Sequence, residues 1–80
     1  MSGEIQKFRG RLVERQREAR RLDMLIKGSV LALRNELDPF RASEDLNGEM
    51  IAELALQLGD LEIQLKSVLA EVAALRRALE

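Results

Sequence analysis

Nine apolar residues in the second half of the chain, Ile51, Leu54, Leu58, Leu61, Leu65, Val68, Val72, Leu75 and Leu79, follow one another at alternating steps of three and four. That spacing is a heptad repeat with Ile51 at a and Leu54 at d. It commits the segment to a helix that must lay one narrow stripe along a partner helix. A strand would need alternation with period two, and a 3.5-residue period over this length favours a left-handed supercoil.

The first half obeys the same template more loosely. Ile5, Leu12, Ala19, Ile26 and Leu33 fall at a, while Phe8, Arg15, Leu22, Ser29 and Glu36 fall at d. Three of those d residues are polar. Leu25, Val30 and Leu37 lie beside the stripe, so from Leu22 onward it widens beyond what one partner helix covers. Pro39 has no backbone N–H and restricts Asp38 before it, so the first helix is expected over about 3–37. The connection is expected over about 38–48. Ser43, followed by Glu44 and Asp45, and Asn47, followed by Gly48 and Glu49, compete as N-caps. The second helix is placed over about 44–79, with the earlier cap as its outer bound.

Two helices of matched length joined by a short proline-containing connection predict an all-α fold, an antiparallel helical hairpin of coiled-coil type forming one domain over 1–80. The alternative is an extended rod in which two chains pair along their whole length. Eighty residues without a cysteine cannot enclose a deep core or staple it with disulfides. Oligomerisation remains, and two hairpins dimerising into a four-helix bundle is the expected outcome.

Candidate contact residues are those the hairpin leaves uncovered. Leu56 and Ile63 sit at f, opposite the stripe, with Gly59 between them and Ala70 one heptad later. Left in water, each of the two large residues forgoes on the order of 1.5–3 kcal/mol. In the first helix, Leu25 and Gly28, with Ser29 and Ala32 beside them, form a second patch where another helix could approach closely. Leu25, Gly28, Leu56, Gly59 and Ile63 are therefore the expected dimer interface. Arg15, at d, is expected to pack its stem and reach solvent or a facing acid such as Glu62 or Glu71.

Catalytic parts are missing from the sequence. Histidine, cysteine, tryptophan and tyrosine are absent, so no imidazole or thiolate is available and the four serines lack an activating base. The five glycines stand apart from one another and make no phosphate loop. Glu49 and Glu53 share a helix face but lack the histidine partners of a di-iron bundle, and read as a solvated acidic face. The expectation is a non-enzyme with no metal and no cofactor.

Charge is uneven although the net value is only −1: residues 7–21 hold seven basic and two acidic side chains, whereas residues 42–62 hold six acids and no base. The basic stretch supports an alternative function, nucleic-acid binding through Arg17, Arg20 and Arg21 on the outer face. No stacking aromatics accompany these arginines, and Glu14 and Glu18 precede Arg17 and Arg21 at ion-pair spacing. The preferred reading is therefore a solvated face, able to pair with the acidic 42–62 surface of another chain; a helical segment of another protein is a further candidate partner.

The first eleven residues hold no apolar core of a signal peptide, and the longest apolar run, 30–33, is four residues. A soluble, cytoplasmic chain of the kind common among short bacterial and phage reading frames is expected, with no membrane partner. The closing Leu79-Glu80 pair also matches an expression-vector junction.

Overall fold

The computed structural model describes residues 2–80. Helix α1 spans Ser2–Glu36, a single 3-10 turn spans Ser43–Asp45, and helix α2 spans Gly48–Leu79. At 1.5 Å per residue the two helices measure about 52 and 48 Å, so laid end to end they would reach about 100 Å. The observed extents are 64 × 15 × 14 Å. The chain is folded back on itself as an antiparallel hairpin, which excludes the extended rod.

The bend is assembled from local hydrogen bonds. Leu37 still donates to the Leu33 carbonyl, at 2.9 Å, and then Pro39 breaks the ladder. Arg41 N–H donates to the Asp38 carbonyl at 3.1 Å, closing a β-turn with proline at its second position. The Asp38 carboxylate accepts from Phe40 N–H at 3.0 Å. Arg41 then reaches back, donating to the Asn35 carbonyl at 3.1 Å and pairing with Glu36 at 3.3 Å. A cation on the last carbonyls of α1 satisfies one of the acceptors a helix end leaves open and suits the helix dipole.

The start of the second helix corrects the expected bound at 44. The Ser43 segment makes one 3-10 turn with no side-chain cap, and Leu46 then returns to extended backbone. Asn47 prevails: its side-chain oxygen accepts from Met50 N–H at 3.1 Å, and its carbonyl takes the first helical bond from Ile51. The continuous helix therefore begins four residues later, at Gly48.

Within the hairpin, α2 buries what its repeat says it should. All nine a and d residues are half-buried or buried, and Gly59 is the only other residue of the helix that is not exposed. In α1, Leu22 is the centre of the core at 1% exposure, packed with Val68 and Val72 and flanked by Leu12, Ala19, Leu61 and Leu65. Ile26 and Leu33 are half-buried further toward the bend.

Ile5 and Phe8 depart from this pattern and stay exposed. Phe8 lies fourteen residues before Leu22, and the matching position fourteen beyond Val68 runs past Glu80. The first turns of α1 have no helix opposite them.

Candidate self-association surface

Once the a and d stripes are paired, the heptad register assigns every remaining residue to a flank or to a back. One flank carries a groove between the helices lined by Leu25, Ser29, Gln57, Asp60, Leu61 and Gln64. The opposite flank carries another, lined by Ala19, Arg20, Asp23, Met24, Leu65 and Leu69. Both are shallow, and neither presents a cluster of reactive side chains.

The two helix backs differ in chemistry. On α1 the b and f positions from 13 to 34 read Val13, Arg17, Arg20, Met24, Lys27, Leu31 and Arg34, all exposed. Four of the seven are basic, as a solvated back should be. On α2 the same positions read Ala52, Leu56, Gly59, Ile63, Lys66, Ala70 and Ala73. Here six of seven are apolar or glycine, and the steps between them alternate four and three. The helix thus carries a second heptad stripe, about 150° around from the first given 100° per residue. Leu56 is 70% exposed and Ile63 66%, so the hairpin leaves the stripe's two large side chains uncovered.

The five expected interface residues divide between these surfaces. Leu56, Gly59 and Ile63 lie together along the back of α2. Leu25 belongs to the first of the two flanks, beside Gln57 and Asp60, and Gly28 sits on that side of α1 by register. A β-carbon built on either Gly28 or Gly59 meets nothing within 4 Å, so packing inside the hairpin requires neither glycine.

Exposed apolar side chains also gather at the bend, where Phe40 is 95% exposed and Leu37 and Leu46 are exposed beside it. Phe40, one of two aromatics in the chain, projects from the turn closed by Asp38 and Arg41.

Surface ion pairs are local to each helix. Arg21 donates to both oxygens of Glu18, at 2.9 and 2.6 Å. This hydrogen bonding holds the Glu18 carboxyl below its ordinary range and raises the guanidinium in turn. Lys27 pairs with Asp23 at 2.9 Å, and Lys66 pairs with Glu62, whose hydrogen bond raises the Lys66 ammonium. Arg15 is half-buried at its d position and forms no ion pair among the described residues, with neither Glu62, which pairs with Lys66, nor Glu71. Arg15 instead adds its charge to the field that lowers Glu18. Of the three arginines considered for phosphate contact, Arg21 is tied to Glu18, while Arg17 and Arg20 are exposed on the back of α1.

Folding the chain converts its uneven charge into a polar rod. With Leu22 set against Val68, the open half contains residues 2–22 and 66–80, with ten basic and five acidic side chains, a net +5. The bend half, residues 23–65, holds three basic and nine acidic side chains, a net −6. Their sum is the −1 of the whole chain.

No protein-family model, curated protein or solved structure matches the chain.

Proposed function

We propose that this chain is a non-catalytic self-association module, acting as a scaffold or adaptor through packing of its helices. The observation that carries this reading is the surface left over after the hairpin closes. The accessible area is 6328 Å² for 9.1 kDa, against about 4,900 Å² for a compact monomer of that mass. The surplus of roughly 1,400 Å² per chain exceeds the about 800 Å² that each partner of a standard interface removes from water.

Among the described residues only four, Leu22, Val68, Val72 and Leu75, are buried, and of these only Leu22 is fully so. So thin a core leaves a two-helix rod of marginal stability, and a second chain offers the missing cover. Light scattering across the micromolar range tests the reading. A dimer mass near twice 9.1 kDa supports it, and a monomer mass throughout overturns it.

The net +5 of the open half favours one second reading, an accessory contact to nucleic acid through Arg17 and Arg20. Titration with generic duplex at low salt tests it. Binding that weakens steeply as salt rises supports this reading, and no binding removes it.

A further inference from the structure

We infer that two copies of this chain pair through the backs of their α2 helices, running antiparallel, with Ile63 of each copy on the two-fold axis. The inference rests on the self-association reading and specifies its surface and direction.

The α2 back is the only helix back whose residues suit burial, since the equivalent positions of α1 are largely basic. Its size pattern is self-complementary in one direction. Running antiparallel about Ile63, Leu56 meets Ala70 of the partner subunit, and Gly59 faces the partner's Ser67, next to the partner's Lys66. Leu56 then finds a small residue on the facing helix, as knobs fitting into holes require, and bulk meets bulk only where Ile63 faces itself on the axis. Run parallel, the stripe would set Leu56 against itself and Lys66 against itself, pairing bulk with bulk and like charge with like charge.

Charge favours the same direction. From 48 to 63, α2 carries four acids and no base, and its only cationic residues, Lys66, Arg76 and Arg77, follow. Antiparallel pairing lays the acidic half of one helix along the basic residues of the other. It also sets the −6 bend half of each hairpin beside the +5 open half of its partner and opposes the helix dipoles. Parallel pairing stacks −6 on −6. The order of helices across the assembly is α1, α2, the second copy's α2 and its α1.

The chain has no cysteine, so single cysteines report the geometry cleanly. Under mild oxidation, Ile63→Cys is expected to form a disulfide-linked dimer. Leu56→Cys and Ala70→Cys each link poorly alone but readily when mixed. Equal self-linking by all three variants indicates parallel pairing and overturns the inference, as does a dimer in which Ile63→Cys does not link at all. In either case the dimer mass leaves self-association itself intact. A wild-type monomer mass would instead remove the underlying reading.

Ile63→Glu supplies an independent check, because the side chain is exposed within the hairpin and its replacement leaves the core untouched. The expected product is a helical monomer by scattering and circular dichroism. An unchanged dimer mass shows that the contact lies elsewhere.

Discussion

Leu22→Ala is the sharpest test of the hairpin core. The substitution removes three carbons from a side chain that is 1% exposed. At about 0.8 kcal/mol per carbon, the lost transfer energy is about 2.4 kcal/mol. Leucine-to-alanine changes in closed cores span about 2–5 kcal/mol, the excess reflecting the cavity that remains. A rod 15 × 14 Å in section is only two helices thick, so water or neighbouring side chains can occupy the vacated space. The expected loss is therefore at the lower end, about 2–3 kcal/mol. Urea unfolding monitored by helical circular dichroism measures it. With a slope on the order of 1 kcal/mol per molar, the midpoint should fall by about 2 M with the slope unchanged. A loss below about 1 kcal/mol would refute Leu22 as the centre of packing. A loss above about 4 kcal/mol would contradict the open-sided cavity and mean that the core is sealed from outside.

Three further substitutions probe the helices. Gly28→Ala should stabilise the hairpin by about 1 kcal/mol, because the added methyl meets open space and alanine favours the helix; a lower melting temperature would refute the vacancy seen there. Asn47→Ala should cost about 1 kcal/mol through loss of the cap on Met50 N–H, measured by thermal unfolding, whereas Ser43→Ala should leave stability nearly unchanged. The depressed Glu18 carboxyl means that its pairing with Arg21 supports α1 above the ordinary carboxylate value of 4.5 and is lost as pH falls through the lowered folded value. Glu18→Gln should therefore reduce helicity at neutral pH and match wild type once both are acidified; a difference that persists in acid would exclude the ion pair as its source.

The α2 stripe was legible because every a and d position is a large apolar residue, whereas the second stripe on its back is built mostly of alanine and glycine. The α1 contribution was harder to read, since Arg15, Ser29 and Glu36 occupy d positions and only the finished packing shows Leu22 holding the centre. Capping explains why the helix start stayed open between two positions: Ser43 and Asn47 each carry an oxygen within reach of a first turn, and local chemistry alone does not rank them. Arg41 went unnoticed as a cap because its partners, Asn35 and Glu36, come near it only after the Pro39 turn has formed. Leu25 and Gly28 were grouped with Leu56, Gly59 and Ile63 for a related reason. Periodicity assigns a face to each helix separately, and how those faces lie relative to each other depends on the closed hairpin.

The position of the core has a consequence for how the rod forms. Leu22 packs on Val68 and Val72, residues 46 and 50 positions further along the chain, while side chains nearer the bend are only half-buried. A hairpin with its best contacts beside its turn can zip up from there, each step closing a short loop. Here the strongest grip lies toward the opposite end, so early closures bring little reward and the molecule should shut in one concerted event, like a clasp. Amide protons around Val68 and Val72 should then be the slowest to exchange, and those flanking Pro39 should exchange far faster.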